Sequence, residues 1–362
     1  MTALAREPAA GKFDSSKFTA GQLKKAEFKA SGASAVYDPW LNGFPYRMPI
    51  TITNSGSALS NYQSSVTVNT AALISAGKMQ SGCQDIRFTG SDGISNLYYW
   101  IESGCNSAST KIWVKVASIP SGPSTIYMYY GNASASSASD GSNTFLVWDN
   151  FDDNTIDTNK WTTHVKNGGS IAETGGEMKH TNDGDWSGEN HYTKTNLFTK
   201  TSGYAVRFKI RYPAAYCNGG DNHNVSLFDI TAVTWPDAGY DQPSPAVYAD
   251  VGSICATYDT TWESIIKGNG KYDLTRISGT NYMSNVVNGD ITNWANLAST
   301  YAMDFNSATY GSHHTYWDNT SIRKYASPEP AASVGTEAYC PASVPSSITV
   351  PKGSATSWYW GP

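Results

Sequence analysis

The chain has 362 residues, a net charge of −5, 15% charged residues and 13% aromatic ones, among them 23 Tyr and 12 Trp. This length suggests two domains with tails, and a mixture rich in Tyr, Trp, Thr, Val and Gly suits strands joined by turns and excludes a disordered chain. The acidic balance argues against nucleic acid as a partner, and no apolar run approaches the roughly 18–20 residues that span a membrane, so no membrane span is expected.

Residues 1–35 read as an N-terminal arm. Its cations (Arg6, Lys12, Lys17, Lys24, Lys25, Lys29) outnumber Glu7, Asp14 and Glu27, and it lacks the apolar core of a secretory leader. In "TAGQLKKAEFKASGAS" (19–34), Thr19 and Gln22 have the spacing of a capping box. Leu23, Ala26 and Ala30 share a helical face, and Gly32 follows the end. A helix of about twelve residues is marginal alone and needs a surface to dock on, so the segment is expected to be an assembly arm. The alternative is a disordered solubilising tail.

Residues 36–143 show period-2 alternation. In "YRMPITITN", Tyr46, Met48, Ile50 and Ile52 face one way and Arg47, Pro49, Thr51 and Thr53 the other. "SSVTVNT", "QDIRFTGSDG", "LYYWIES", "KIWVKVASIP" and "STIYMYYGN" follow, separated by turns at Asn54–Gly56, Ser91–Gly93 and Ser121–Pro123. Short strands with regular turns predict an antiparallel sandwich. Asp85, Arg87 and Glu102 are expected to form a cross-strand ion pair on an exposed face.

Five of these motifs in order, from "YRMPITITN" through "ALISAGKMQSGCQDIRFTGSDG", "YYWIES" and "IWVKVASIP" to "TIYMYYGNASASSASDG", resemble the domain of unknown function DUF2341. The resemblance implies an immunoglobulin-like sandwich in surface or extracellular proteins, and no chemistry. Cys83 stands before "DIRF", where the family leads one to expect an acidic or small residue, and Cys105 follows "WIES". Those strand ends are expected to meet, giving a Cys83–Cys105 disulfide worth about 3 kcal/mol; the alternative is two buried thiols.

Residues 144–336 read as a second two-sheet domain. "YAVRFKIRY" sets Tyr204, Val206, Phe208 and Ile210 against Arg207, Lys209 and Arg211. "VSLFDI", "YDLTRISGTNYMSNVVNGD" and "TYAMDFNSA" are further strands, with "SGTN" a hairpin loop. The opening "FLVWDNFDDNTIDTNKWT" and closing "RKYASPEPAASVG" resemble concanavalin A-like, laminin-G-type lectin domains. The fold class expected is all-β: an immunoglobulin-like sandwich, then a concanavalin A-like jelly-roll sandwich, with short terminal arms.

In such folds the first and last strands lie together, which would bring Asp152 or Asp153 near Asp318 to hold a structural calcium, an ion that takes six to eight oxygens. Asp183, Asp185 and Glu189 are a second candidate set. Both sets are otherwise solvated loop acids. Retaining glycoside hydrolysis on this fold needs carboxylates on one strand face, with the spacing Glu-x-Asp-x-x-Glu. That triplet does not occur, and neither Asp237 with Asp241 nor Asp250 alone replaces it. No G-x-S-x-G elbow is present, and His313–His314 lacks partners at metal spacing. No enzyme is expected. Apolar sugar faces stack on aromatic rings. Of Trp161, Trp186, Trp235, Trp262, Trp294 and Trp317, most are expected in the core. Trp186 and Trp235, set among polar, Gly, Pro and Asp residues, are the expected glycan-binding rings.

Cys217 and Cys255 are expected to pair, leaving Cys340 for an inter-chain bond or a free thiol. The C-terminal tail, 337–362, ends in "SWYWGP", an aromatic strand suited to docking on a neighbour or the start of a linker. Cysteines of disulfide type without a visible leader suggest a virion protein or an extracellular, cell-surface one. The expected function is a non-enzymatic structural or adhesion subunit of an extracellular assembly, such as a phage fibre, spike, capsid decoration or surface filament. Its partners would be copies of itself or other subunits, through the arms, and surface glycans. The alternatives are a secreted carbohydrate-binding module of a polysaccharide-degrading protein and a divergent glycoside hydrolase.

Overall fold

The structure, a computed structural model, describes residues 26–30, 33–36, 40–165, 168–181, 188–211, 222–230, 248–254, 260–279, 285–291, 293–308, 314–340 and 355–360. The chain divides into two units, Met1–Ser139 with Pro330–Pro362, and Asp140–Glu329.

Unit 1 begins with β1 (Ala26–Ala30) and β2 (Ala33–Val36), then β3 (Tyr46–Asn54) and β4 (Leu59–Val68). Helix α1 (Thr70–Ser75) follows, capped by the Asn69 side chain, which accepts from the Ala72 amide. Next come β5 (Arg87–Thr89), β6 (Asn96–Leu97), β7 (Tyr99–Ser103), β8 (Thr110–Ile119) and β9 (Gly122–Tyr130). Every pairing between these strands is antiparallel. The expected alternation places Ile50 and Ile52 in the core with Ile112, Val114, Ile126 and Met128. Arg47, on the face opposite Ile50 and Ile52, is buried too: its guanidinium lies 4.3 Å from the Trp40 ring and 4.4 Å from the Tyr127 ring, and donates to Tyr129 Oη. A cation held between aromatic faces keeps an attraction that makes up part of its lost hydration.

Asp85, Arg87 and Glu102 do not form the expected ion pair. Asp85 is buried and accepts the amides of Gln80 (3.0 Å) and Gly131 (2.7 Å). Gly131 has φ +96°, and a Cβ there would collide with Tyr46 and Pro45, so only glycine brings its amide to Asp85. Arg87 donates to the carbonyls of Gln84, Ile86 and Ser136. Glu102 accepts from Trp113 Nε1 and pairs with Lys111. The Cys83–Cys105 disulfide is present and closes a separation of 22 residues. Cys340 is a free thiol; Cys217 and Cys255 lie outside the described residues.

Unit 2 opens with α2 (Gly141–Thr144) and continues through β10 (Val147–Asp149), β11 (Trp161–His164), β12 (Ser170–Thr174), β13 (Glu177–Thr181), β14 (Gly188–Thr193), β15 (Phe198–Thr199), β16 (Gly203–Arg211), β17 (Asn222–Phe228) and β18 (Tyr248–Ile254). Then come β19 (Thr260–Ile266), β20 (Lys271–Ser278), β21 (Val286–Asp290), β22 (Thr300–Ala308) and β23 (His314–Tyr325). One sheet has the order β12-β13-β23-β16-β19-β20-β21, with β10 on β23; the other has β11-β14-β22-β17-β18, with β15 on β22. The first and last strands meet as expected, Asp149 opposite Thr320. The core between the sheets holds Trp161, Phe208, Trp262, Phe305 and Trp317 among others.

The chain then returns to unit 1. The segment expected to close the second domain forms β24 (Ala331–Val334), which pairs with β3, Ala332 opposite Ile52. β25 (Ala338–Tyr339) pairs farther along β3. Pro328 and Pro330 explain the change of partner, because neither can donate to the ladder that β23 would need to continue. Glu337 fastens the return, accepting from Lys78 Nζ and Tyr130 Oη. The arm also departs from expectation. Residues 26–30, expected in a helix, are a strand, because β1 pairs with β2 and with β26 (Ala355–Trp360). Two ladders outweigh a helix too short to stand alone. The aromatic tail thus pairs with the arm of its own chain.

Candidate functional site

The site arises from the alternation of β22. Tyr301, Met303 and Phe305 point into the core of unit 2, so Ala302, Asp304 and Asn306 point to the other side of the sheet. β14 alternates in step: His191 stacks on Phe305 with ring centroids 4.9 Å apart, while Asn190 and Tyr192 share the outer side. Register then sets polar residues in two rows. Asn190, Asn306 and Asn224 stand opposite one another across β14, β22 and β17. Tyr192, Asp304 and Ser226 form the next row, and Asp250 on β18 stands opposite Ser226.

The outer side of a sheet is ordinarily where such residues meet water. Here Asn190, Ser226 and Asp304 are fully buried and Asn306 is 1% exposed, so this polar face is covered. Asn306 Nδ2 donates to Asn190 Oδ1 at 2.5 Å. Neither Asp304 oxygen, nor Asn306 Oδ1, has a hydrogen-bond partner among the described residues. Burial drives the Asp304 carboxyl well above the usual carboxylate range, with the Phe305 amide pulling weakly the other way. Burial, then the Asp304 charge, raises the Tyr192 phenol. Tyr192 is half-buried and meets Phe228 edge-on at 5.0 Å. The face thus offers amide, carboxyl, phenol and hydroxyl groups, the groups that bind vicinal sugar hydroxyls, beside an aromatic ring.

Behind this face, in the core, lies a second polar group. Trp317 Nε1 donates to Ser307 Oγ at 3.1 Å, Ser307 Oγ lies 3.1 Å from His180 Nδ1, and His180 Nε2 lies 2.8 Å from His191 Nδ1. With Trp317 donating, the chain runs Ser307 to His180 to His191 and leaves the His191 proton on Nε2. That nitrogen has no hydrogen-bond partner among the described residues, and the ring lies edge-on to Trp161 at 5.1 Å. Burial, then His180, holds the His191 pKa well below its ordinary value.

The predicted metal triad does not assemble. Among the described residues no three His, Cys, Asp or Glu side chains are placed to hold a metal ion. Asp318 lies opposite Lys209 and pairs with it at 3.7 Å. Asp152 accepts from Asn150, and Asp153 accepts the Thr155 amide at 3.0 Å. Positive φ at Phe151 and Asn154 turns that loop off the strand direction, toward the β12–β13 hairpin. There Glu173, largely buried, is raised to about 7 by burial, by the Asp153 carboxyl and by the Asp149 charge. Of the second set, Asp183 and Asp185 lie outside the described residues, and Glu189 is buried on β14 opposite Ser307. Trp186 and Trp235 also lie outside them. Trp161, Trp262 and Trp317 are core residues, as most Trp were expected to be, and Trp294 packs against the same core.

Residues 82–164 match the family described as "Domain of unknown function (DUF2341)". The match begins beside the disulfide and runs into β11 of unit 2, later at both ends than the span expected from the motifs. No curated protein matches the chain. Solved structures resemble it distantly. A sialidase is 10% identical with a TM-score of 0.34, over 56% of this chain and 20% of its own; this chain thus spans only about a fifth of that protein's length. The endo-1,3-beta-glucanase of Streptomyces sioyaensis is 10% identical with a TM-score of 0.34, over 50% of this chain and 96% of the enzyme. Lectin I-B4 of Griffonia simplicifolia, in its metal-free form, is 10% identical with a TM-score of 0.33, over 47% of this chain and 95% of the lectin. No helix among the described residues is long and apolar enough to cross a membrane.

Proposed function

We propose that this chain, which carries a DUF2341 domain at residues 82–164, is a non-catalytic glycan-binding subunit of an extracellular assembly, with the outer face of the β14–β22–β17 sheet as its binding site. The observation that carries the reading is the pair of in-register rows, Asn190–Asn306–Asn224 and Tyr192–Asp304–Ser226. Amides and carboxyls spaced by one strand separation, about 4.8 Å, suit the hydroxyls of a sugar ring. We read unit 1 as an immunoglobulin-like sandwich that presents unit 2, itself a concanavalin A-like jelly roll. The Cys83–Cys105 bond supports an oxidising, extracellular setting. Trp186 and Trp235 are the proposed stacking rings, on sequence grounds alone.

A glycan array tests this. The wild-type chain is expected to retain a defined set of glycans, and Asn306→Ala and Tyr192→Phe to lose them with the fold intact by circular dichroism. Retention unchanged by both variants defeats the assignment of the face. Light scattering on the full chain tests the assembly: a monomer at all concentrations defeats the subunit reading and leaves a secreted binding module. One observation favours a hydrolase instead. Asp250 stands in the same row as Asp304, two strands away, a backbone separation of about 9–10 Å. Release of reducing ends from a retained glycan, lost in Asp304→Asn, would establish that reading.

A further inference from the structure

Unit 1 is completed by a stretch of chain that comes after unit 2. β3 pairs with β9 along one side, and the chain up to Ser139 supplies nothing for the other. β24 and β25 fill that side in two short pieces, Ala331–Val334 opposite Ile50–Thr53 and Ala338–Tyr339 opposite Tyr46–Arg47. Ile50 and Ile52 are fully buried, so β3 is fixed in the core, and its unfilled edge is a template for another strand. β3 is therefore a strand-acceptor groove.

What the groove reads is narrow and specific. Gly335 donates its amide to the Pro49 carbonyl and Cys340 to the Pro45 carbonyl, each at 2.8 Å. A Cβ at Gly335 would lie 2.9 Å from Pro49, so a larger residue does not seat there. Glu337 accepts from Lys78 Nζ and from Tyr130 Oη. Tyr339 meets Tyr46 with ring centroids 5.0 Å apart, and Tyr46 stacks on Tyr130 at 5.6 Å. The donor itself buries little, since most of its residues, Val334 and Tyr339 among them, are exposed. A segment held by main-chain bonds, one carboxyl and one ring opens locally at low cost.

The hinge favours a donor from another copy. Glu329, held by Arg323, is the last residue of unit 2, and Pro330 is the first that returns to unit 1. Only residues 326–330 join β23 to β24, and Pro328 and Pro330 stiffen them. A short hinge between strands of different sheets invites exchange of the element beyond it. The exchanged segment makes the same contacts in either copy, so exchange sacrifices none of them.

We propose that residues 330–340 are a donor strand that passes between copies of this chain and fills the β3 groove of a second copy, Glu337 seating on Lys78 and Tyr130 there. Reciprocal exchange closes a pair, and sequential exchange builds a filament. The inference rests on the subunit reading above and supplies its contact.

The test is light scattering on full-length Lys78→Glu and Glu337→Lys, alone and mixed in equal amounts. Each variant alone sets like charges at the contact, whether the donor stays or is exchanged. The mixture restores opposite charges, but only where the donor of one variant lies in the groove of the other. The mixture is expected to assemble at about tenfold lower concentration than either variant alone, and both substitutions on one chain to restore wild-type assembly. Should a single variant fail to fold, a free peptide of residues 330–339 is added to the wild type. It is expected to dissociate the assembly, and the same peptide with Glu337→Lys is not. A mixture that assembles no more readily than its components, or an assembly that the peptide leaves intact, overturns the exchange while the subunit reading stands. A wild-type chain that is monomeric at every concentration overturns both.

Discussion

Two buried aspartates, one in each unit, are met in opposite ways. In unit 1, Asp85 is buried and both its oxygens accept backbone amides, from Gln80 and from the glycine that the site requires. In unit 2, Asp304 is buried at least as deeply and no described side chain answers it. Buried polar groups are normally hydrogen-bonded, so the first is a structural device and the second calls for a ligand. The same contrast separates Arg47, enclosed by Trp40 and Tyr127, from the His180–His191 pair, whose outer nitrogen has no hydrogen-bond partner among the described residues.

The comparison can be broken most strongly at Asp85. Asp85→Ala removes the acceptor of two amides and is expected to cost about 3–5 kcal/mol in denaturant unfolding of unit 1; a loss below about 1 kcal/mol would show that the amides find water instead. The disulfide comes next. Replacing Cys83 and Cys105 by Ser is expected to cost about 3 kcal/mol by the same measurement. Asp304→Asn sharpens the contrast, because its sign is opposite: at neutral pH it is expected to stabilise unit 2 by about 1–2 kcal/mol, since it removes an unanswered acid.

Smaller effects follow pH. The His191 pKa is lower folded than unfolded, so the unfolded chain binds more protons in acid. Its stability is fully present above the unfolded value of 6.5 and is lost as pH falls below it. His191→Phe is expected to flatten that loss in Tm measured between neutral and mildly acidic buffer. Glu173 runs the other way. Its pKa is raised from 4.5 to about 7, so the folded chain holds the extra proton and stability falls as pH rises through that window. Glu173→Gln is expected to remove this smaller fall, and the two variants separate the opposing slopes.

Much of the fold was legible in the sequence. Period-2 alternation placed Ile50, Ile52, Val206 and Phe208 in the core, and the positions of Cys83 and Cys105 beside familiar motifs gave the disulfide. The return of Ala331–Val334 to β3 was hidden, because a strand carries no mark of which sheet it joins once a long insertion intervenes. The Pro328–Pro330 break was the available signal. The arm misled because helical spacing over one short window says nothing of the strand partner waiting at the other end of the chain. The site was half visible. "TYAMDFNSA" alternates cleanly, and its polar positions read as an ordinary solvated face. What made Asp304 and Asn306 stand out was their burial, and burial of an outer face is set by tertiary structure, not by the strand that carries it.

The most direct test of the account measures the thermal stability of Asp304→Asn beside its glycan binding. The account predicts a protein more stable than the wild type that no longer retains glycan, the behaviour of a site kept at a cost to stability. A variant that is less stable, or that binds glycan as before, would contradict it and return Asp304 to the structural role that Asp85 plays.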